Sequence, residues 1–309
     1  MRRLPQIAIL LVPMLFATEI GAQVAPWTDE SPHEVRSIAV TPTVHLEVLD
    51  WGGTGEVLVF LAGLSQNAHT YDEFAPRFTD RYRVMGITRR GHGHSSWPDA
   101  GYELATLVQD LEAALDSLGF ERVFLVGHSY GGIEITKLAA EAPDRVAGLI
   151  YIDAIQDLTQ MAAVMPACPA GQEFEEVSER SFENPEAFRQ TQRRIGDDGT
   201  PEANASAAAV GQIVRNLERP DYSRVSAPAL AVSYIPERVE DIFFGMANLS
   251  DACVSAAQRL LYEGLASFAR GMERGRIVAL QDGQHNLHLV VPNELEAAMR
   301  RWLAEQLEG

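Results

Sequence analysis

The strongest chemical signal in the sequence is a serine enclosed by glycines, in the segment Gly127 to Gly132 (GHSYGG). The segment follows the apolar run 123–126 and precedes a helix-like run, the context in which the pattern G-x-S-x-G forms a sharp strand-to-helix turn. Glycines two residues before and after Ser129 leave room for a tight backbone and predict an exposed hydroxyl. The N–H of Tyr130, at the helix start, would then face developing negative charge. Ser129 is therefore the candidate nucleophile.

A serine hydroxyl needs a general base, and chain position selects one candidate among the eight histidines. His285 follows the last apolar run, on a loop that precedes the helix-like segment from Pro292. His288, three residues later, is expected to pack or to hydrogen-bond within that loop. His92 and His94 lie in a glycine-rich turn and are interpreted as loop structure. We therefore predict His285 as the base.

The elements that must position these residues alternate between strand-like and helix-like. One strand-like run alternates apolar and polar residues, and the others are nearly continuous apolar runs, which is typical of strands covered on both faces. The strand-like runs are residues 44–51, 56–62, 82–87, 122–127, 146–152, 229–232 and 276–280. Apolar residues recur at three and four positions between 104 and 118 and predict an amphipathic helix. The alternation predicts an α/β fold with a doubly wound, mostly parallel sheet that binds ligands at the carboxyl ends of its strands.

The alternation stops between residues 155 and 222, in a polar, helix-prone stretch that is rich in Glu and Arg. This stretch is too long for a simple connection and predicts an inserted helical cap. The core would then comprise residues 23–154 and 223–309. The charges of the cap are interpreted as a solvated face. In the alternative interpretation, some carboxylates face the site and select a cationic substrate.

The amino-terminal residues predict export. Arg2 and Arg3 precede the apolar run 7–17 and the small pair Gly21-Ala22, which is the order of charge, apolar run and small residues in a secretory signal peptide. The run is shorter than the roughly 20 residues that span a bilayer, so no membrane span is expected. We predict a signal peptide at residues 1–22 and a periplasmic or secreted chain. In an oxidising compartment the two cysteines, Cys168 and Cys253, are expected to form a disulfide.

Composition restricts the class of partner. The chain has 309 residues, of which 46% are hydrophobic and 22% charged, as in ordinary soluble globular proteins. Its formal net charge of -18 would repel nucleic acid and anionic membrane surfaces, which are therefore not expected as partners. Small neutral or cationic substrates stay open, and the oligomeric state is not determined. Neither cysteine lies in a CxxC pair or near clustered histidines, so no metal site is expected at them.

Together these motifs resemble those of the α/β-hydrolase family, in particular the members that have a cap and a serine nucleophile. The matching pieces occur in the family's order between about residues 58 and 302: the turn 62–64 (AGL), then 90–95 (RGHGHS), 127–132 (GHSYGG) and 283–288 (GQHNLH). The resemblance implies an eight-stranded sheet, with Ser129 and His285 as nucleophile and base. It also implies an oxyanion hole formed by the backbone N–H groups of Leu64 and Tyr130. No metal or organic cofactor is implied.

Two positions depart from the family's pattern. Ala62 stands where the family usually has a His before the oxyanion glycine, and Thr88 stands where it usually has an Asp. Both positions mostly stabilise loops in the family. We therefore expect altered loop packing without loss of the chemistry.

The acid of a Ser-His-acid triad has two main candidates. In the family, the acid most often lies in a G-x-x-D turn after the strand that follows the cap. In this chain that turn lacks the glycine and has Glu237 in place of the Asp. Similar enzymes also take it from the end of the preceding strand, where this chain has Asp153. We favour Asp153 over Glu237, with Glu240 and Asp241 as weaker alternatives. Asp153 could instead cap a loop at the junction with the cap.

These residues predict an exported serine hydrolase that cleaves a small-molecule carboxylic ester or lactone through an acyl-enzyme intermediate. Ser129 at the elbow excludes the Asp nucleophile of dehalogenases and epoxide hydrolases with a similar fold. One alternative is an aminopeptidase similar to proline iminopeptidases, in which Glu173 or Glu176 of the cap would bind the substrate ammonium. A second alternative is a non-catalytic binding protein on the same fold.

Overall fold

The structure is a computed structural model, and it describes residues 31–160, 193–195, 201–235, 250–281 and 283–308. Several sequence predictions fall outside these residues. They are the signal peptide at 1–22, most of the cap with Glu173 and Glu176, the alternative acids Glu237, Glu240 and Asp241, and the cysteine Cys168.

The described residues contain ten strands. They are β1 (Glu34–Ala39), β2 (His45–Gly52), β3 (Val57–Leu61), β4 (Arg83–Ile87), β5 (Val123–His128), β6 (Val146–Ile152), β7 (Arg193–Ile195), β8 (Pro201–Ala203), β9 (Ala229–Tyr234) and β10 (Gly275–Leu280). Eight of these form one sheet in the order β1-β2-β4-β3-β5-β6-β9-β10, and β7 pairs only with β8. The pairs β1–β2 and β2–β4 are antiparallel and all other pairs of the large sheet are parallel. The predicted eight-stranded, mostly parallel sheet is confirmed.

Helices cover both faces of the sheet. Within the described residues they are α1 (Leu104–Ser117), α2 (Tyr130–Glu141), α3 (Ala207–Arg215), α4 (Asp251–Gly271), α5 (Leu287–Val290) and α6 (Pro292–Glu308). The sequence of β5 shows why the central strands are continuous apolar runs. Val123 and Leu125 pack in a core with α1 and α2, whereas Phe124 and Val126 pack in a second core that includes Trp302 of α6. Both faces of the strand are therefore buried.

Strand β1 was missed by the sequence analysis, which found only seven strand-like runs. It pairs with β2 along its whole length, from Glu34 opposite Asp50 to Ala39 opposite His45. The strand lies at the edge of the sheet and no residue of it is fully buried. An edge strand with solvated faces has no need of an apolar run, so the hydrophobic pattern could not reveal it.

The parallel order brings the functional segments to one edge of the sheet. The turn 62–64 follows β3, Ser129 follows β5, Asp153 follows β6, and His285 lies on the loop after β10. Because these four strands are parallel members of one sheet, their carboxyl ends lie at the same edge. This edge therefore holds the candidate active site.

The structure also bears on the predicted disulfide and on the expectation that the chain has no membrane span. Cys253, in the first turn of α4, is disulfide-bonded. The only other cysteine of the chain is Cys168, outside the described residues. Among the helices of the described residues, none combines the length and the apolar character that crossing a bilayer requires.

Candidate active site

Ser129 occupies a strained turn between β5 and α2. Its backbone has φ 50° and ψ -120°, a combination that L-residues rarely adopt. A Cβ at Gly127 would lie 2.6 Å from the backbone of Gly131, and a Cβ at Gly131 would lie 2.6 Å from the carbonyl oxygen of Leu61. Both glycines are therefore required sterically, as the G-x-S-x-G pattern predicts.

Backbone hydrogen bonds hold this turn in place. The N–H of Ser129 donates to the carbonyl of Ile152 at the end of β6, and the Ser129 carbonyl accepts from the N–H of Gly132. The Ser129 side chain makes no helix-capping hydrogen bond, and the residue is partly exposed. Tyr130 begins α2, so its N–H has no partner within the helix. Neither the serine hydroxyl nor this N–H has a hydrogen-bond partner among the described residues, so both could interact with a ligand.

The turn after β3 touches the serine. A Cβ at Gly63 would lie 3.2 Å from the Cβ of Ser129 and 3.0 Å from Nδ1 of His128. The glycine thus allows the turn to approach the serine, and the next residue, Leu64, carries the second N–H that the sequence analysis assigned to an oxyanion hole. The two predicted donors, Leu64 and Tyr130, therefore belong to segments that both contact Ser129.

Asp153 and His285, 132 residues apart in the chain, are joined by a short hydrogen bond. The distance from Nδ1 of His285 to Oδ2 of Asp153 is 2.7 Å. A carboxylate can only accept, so Nδ1 carries the proton and Nε2 is left as the basic nitrogen. The side chain of Asp153 is 8% exposed and that of His285 is 43% exposed. The pair thus has a buried acid and an accessible imidazole.

The carboxylate of Asp153 is held by the protein on its other oxygen. Oδ1 accepts from Nε2 of Gln156 at 3.1 Å and from the backbone N–H of Tyr234 at 3.2 Å. The Asp153 N–H donates to the carbonyl of Val232 on β9, and its φ of 43° is in the left-handed region. The residue is therefore locked in a rare conformation that directs its second oxygen to His285.

Comparison with known proteins tests the predicted resemblance to the α/β-hydrolase family. A family model described as the alpha/beta hydrolase fold matches residues 56–195. The solved structure of an E-2-(acetamidomethylene)succinate hydrolase is similar, with a TM-score of 0.65 and 21% identity, over 88% of this chain and 99% of that chain. An N-acyl homoserine lactone degrading enzyme gives a TM-score of 0.62 at 20% identity, over 87% and 98% of the two chains. The chain has the fold of the α/β hydrolases. The predicted fold is confirmed.

Relatives found by sequence differ in what they act on. A fluoroacetate dehalogenase of a Burkholderia species is 37% identical over 109 residues, which are 34% of this chain and 36% of that protein. An esterase of Mycobacterium tuberculosis is 33% identical over 138 residues, 44% of this chain and 46% of that protein. The chain thus matches about a third to a half of the length of these α/β hydrolases. They support hydrolysis as the kind of reaction without selecting a substrate.

One feature of the candidate site escaped the sequence analysis. The buried guanidinium of Arg89 donates from Nη1 to the carbonyl of Gly63 at 2.7 Å and from Nη2 to the carbonyl of Ala62. It also pairs with Glu134 of α2, through Nε at 3.1 Å and Nη2 at 2.7 Å, and lies over the ring of Tyr130. Burial lowers the pKa of Arg89, but the Glu134 carboxylate more than offsets this and the net pKa is raised. Arg89 therefore connects the turn 62–64 to the helix that carries the other predicted N–H donor.

The two positions that depart from the family's pattern, Ala62 and Thr88, make hydrogen bonds to neighbouring segments. Ala62, in place of His, has its carbonyl held by Arg89. Thr88, in place of Asp, donates from its hydroxyl to Glu47 at 2.8 Å and accepts from the N–H of Ala68 at 3.0 Å. Residues 62 and 88 are therefore held by hydrogen bonds even though neither is the family's usual His or Asp.

His92 also supports the oxyanion segment. Its Nδ1 lies 3.1 Å from the carbonyl of Arg90, and its Nε2 accepts from the N–H of Ser65 at 3.2 Å. Burial, followed by the charge of Arg89, lowers the pKa of His92 to about 3. A neutral ring that donates at one nitrogen and accepts at the other satisfies both contacts. This geometry agrees with the interpretation of His92 as loop structure; His94 is exposed.

A second imidazole lies beneath His285. The rings of His128 and His285 are 4.6 Å apart, and Nε2 of His128 donates to the carbonyl of His285 at 2.9 Å. Burial lowers the pKa of His128 well below its usual value, as do His285 and His288, so the ring is neutral. Its Nδ1 lies 3.0 Å from Oε1 of Gln66, and Nε2 of Gln66 donates to Oδ1 of Asn286, the residue after His285, at 3.0 Å. The variable residue of G-x-S-x-G thus anchors the loop of the base, which no sequence signal indicated.

His288 is a third imidazole of this cluster, and its ring centroid lies 5.1 Å from that of His128. It is 2% exposed, and its Nε2 is 3.0 Å from the hydroxyl of Thr70. Burial, followed by the charge of His285, lowers the pKa of His288 to about 3. The side chain therefore packs and hydrogen-bonds within the fold, as the sequence analysis expected. Of the two histidines of this loop, His285 is the one that pairs with a carboxylate.

Proposed function

We propose that this chain is an exported serine hydrolase that cleaves a carboxylic ester or lactone through an acyl-enzyme intermediate. The proposal is carried by one observation: the 2.7 Å bond from Nδ1 of His285 to Asp153, on the sheet edge where Ser129 occupies its strained turn. A base whose tautomer is set by a buried carboxylate is what an unactivated serine hydroxyl requires.

The chemistry follows from the assigned roles. Nε2 of His285 removes the hydroxyl proton as Ser129 attacks the substrate carbonyl, and Asp153 stabilises the imidazolium that forms. The N–H groups of Leu64 and Tyr130 would hold the oxyanion, with each such donor typically contributing about 2.7 to 4 kcal/mol. His285 then returns the proton to the leaving alcohol and later activates the water that releases the acyl group. In a lactone the leaving alcohol stays attached, so the product is a hydroxy acid.

The choice of an ester or lactone draws support from the relatives and from charge. An esterase is among the sequence relatives and a lactone-degrading enzyme among the similar folds, although the latter resemblance concerns the fold alone. The net charge of -18 disfavours anionic substrates. The aminopeptidase alternative depends on Glu173 and Glu176, outside the described residues. No cofactor is needed for the proposed steps.

A fluorophosphonate probe and a substrate panel test the proposal together. The probe should label Ser129 in the wild type, identified by peptide mass spectrometry, and should not label Ser129→Ala. p-Nitrophenyl esters of increasing acyl length and a series of lactones should be hydrolysed, while aminoacyl-naphthylamides should not. Turnover confined to naphthylamides would favour the aminopeptidase. An intact protein that is neither labelled nor active would favour a binding protein.

Export is the second part of the proposal, and it is supported by the charge and apolar pattern of residues 1–22. Expression of the full chain in a Gram-negative host should place the mature protein in the periplasm or the medium. Its amino-terminal peptide should begin near Gln23. An unprocessed chain that stays in the cytoplasm would contradict the proposal.

A further inference from the structure

A second cluster of ionisable groups lies outside the candidate active site. It consists of His33, immediately before β1, with His69 and Asp72, which belong to the single-turn 3-10 helix Ala68–Tyr71 and its C-terminal cap. The side chains of these three residues are 3%, 15% and 14% exposed. None of them has a role in the proposed hydrolysis.

The two imidazoles flank a single carboxylate. Nδ1 of His69 lies 2.8 Å from Oδ2 of Asp72, and Nδ1 of His33 lies 3.2 Å from Oδ1 of the same side chain. The two rings are 5.2 Å apart, and one potential ligand atom from each of the three residues lies within 4.8 Å of the others. Ligands about 2.0 to 2.1 Å from a tetrahedral zinc ion are about 3.3 Å from one another. The two nitrogen-to-carboxylate distances are close to this value, although they involve different oxygens of Asp72. Small side-chain rotations would bring the three ligand atoms, now within 4.8 Å of one another, around one ion.

We propose that His33, His69 and Asp72 bind a zinc ion. Two imidazole nitrogens and one carboxylate oxygen are a ligand set that suits zinc, whereas calcium and magnesium prefer oxygen ligands alone. The ion replaces the protons that the two rings share with the carboxylate. A water molecule completes the tetrahedron.

The surroundings hold these ligands in position. Nε1 of Trp51 donates to Oδ1 of Asp72 at 3.3 Å, and the hydroxyl of Ser31 donates to the Asp72 carbonyl at 3.0 Å. Oε1 of Glu47, a buried carboxylate on β2, lies 3.5 Å from Nε2 of His69. When Nδ1 of His69 binds the metal, Nε2 carries a proton that faces Glu47. A carboxylate behind a ligating imidazole fixes its tautomer and raises its basicity.

The location gives the ion a structural role. It would join the segment before β1 to the short helix that follows the turn 62–64. Thr70 in that helix also contacts His288, on the loop of the candidate base. His69 and Asp72 are neighbours in the chain, but only the folded protein brings His33 to them, so zinc binding would add to the stability of the fold. Hydrolysis itself does not require the ion.

Zinc binding to the full-length, untagged protein tests the site. After removal of metal with a chelator and dialysis, added zinc should bind at one ion per chain, measured by calorimetry and by metal analysis after gel filtration. It should also raise the Tm. His33→Asn and His69→Asn should each weaken binding at least tenfold. His45→Asn changes an exposed histidine outside the cluster and should bind as the wild type does.

A second control separates this site from the candidate active site. His285→Ala should retain its zinc, because the exposed imidazole of that site is not a ligand here. Circular dichroism establishes that each variant is folded. If the His69 variant does not fold, a crystal of the wild type with zinc should show an anomalous peak among the three side chains. Absence of tight zinc binding, equal binding by the cluster variants, or a peak elsewhere would overturn the proposal.

Discussion

The backbone of Ser129 concentrates strain at the residue that is proposed to do the chemistry. Its φ of 50° and ψ of -120° belong to a region that costs on the order of 1 to 3 kcal/mol per residue. The contacts to Ile152 and Gly132 maintain it. The strain therefore serves to present the hydroxyl, and a side chain without the hydroxyl can adopt the same backbone.

Ser129→Ala should abolish turnover and leave the fold intact. Loss of a triad nucleophile costs on the order of a millionfold in kcat in a well-studied serine hydrolase, and His285→Ala should match it because members of a catalytic unit are not additive. Steady-state kinetics on an ester substrate measures both. His288→Ala is the matched control for the base, since His288 lies three residues later, in α5, and contacts Thr70. Retention of a tenth of the activity in Ser129→Ala, or a larger loss in His288→Ala than in His285→Ala, would contradict the assignment.

Asp153→Asn should lower kcat by about 10⁴ with little effect on KM. The amide presents a donor to Nδ1 of His285, so the ring adopts the wrong tautomer for a base. Glu237→Gln serves as the control and should be mild. The opposite order of the two effects would move the acid to the segment after β9, which is the family's commoner arrangement.

Among the elements, the turn 62–64 depends on a buried ion pair. Arg89 binds two of its carbonyls and pairs with Glu134 on α2, so one side chain sets the distance between the segments that carry the two predicted N–H donors. Arg89 is thus a positioning residue. It would support the predicted oxyanion hole by fixing the carbonyls of Ala62 and Gly63.

Arg89→Lys should lower kcat by about 10²-fold and change KM little, because a lysine cannot make the forked contacts that orient both carbonyls. The readout specific to the oxyanion hole is the ratio of rates for an ester and its thionoester, whose sulfur is a poor acceptor. That ratio should fall towards one. Equal losses for the two substrates would indicate a structural role alone.

A matched control is available in the next residue. Arg90 forms a buried ion pair with Asp110 of α1, through Nε at 2.5 Å and Nη2 at 2.6 Å. Arg90→Lys disturbs a buried pair of the same chemistry, so its loss of stability should resemble that of Arg89→Lys. The ester-to-thionoester ratio should stay at the wild-type value.

For the molecule as a whole, buried neutral histidines predict acid sensitivity. The pKa of His92 and that of His288 are both lowered to about 3, mainly by burial, and the pKa of His128 is lowered as well. The unfolded chain therefore binds more protons than the native chain between about pH 6.5 and pH 3. Stability is full above this range and falls as the pH decreases through it, by up to about 1.4 kcal/mol per pH unit for each histidine.

Urea unfolding between pH 8 and pH 4 measures this slope. His288→Gln should reduce the slope by up to one proton, whereas His45→Asn changes an exposed residue and should leave it unchanged. Equal free energies of unfolding at pH 7 and pH 5 would contradict the prediction. Cys253 is disulfide-bonded, and mass spectrometry of the unreduced, alkylated protein can test the predicted partner, Cys168.

The fold class and the main candidate residues could be predicted because their causes are local in the chain. Continuous apolar runs arise from strands with both faces covered, and a Cβ at Gly127 would collide with the backbone of Gly131 and Gly132, four and five residues later. Gly131 is required by the backbone of Leu61 and Ala62, which are distant in the chain, but the short motif records it in the sequence. The position of Asp153 after a buried strand made it a candidate acid for the same reason. The edge strand β1 left no such trace, since its faces are solvated.

Tertiary structure decided how distant residues meet. The sequence left two main acids for His285, and the 2.7 Å bond to Asp153 joins side chains separated by 132 residues. Neither the contact of Arg89 with the turn 62–64 nor the burial of His128 beneath His285 has a sequence pattern. Periodicity and steric exclusion act between neighbours in the chain, so sequence shows them directly. Contacts across the sheet edge depend on how strands and loops pack, and only the folded structure specifies that packing.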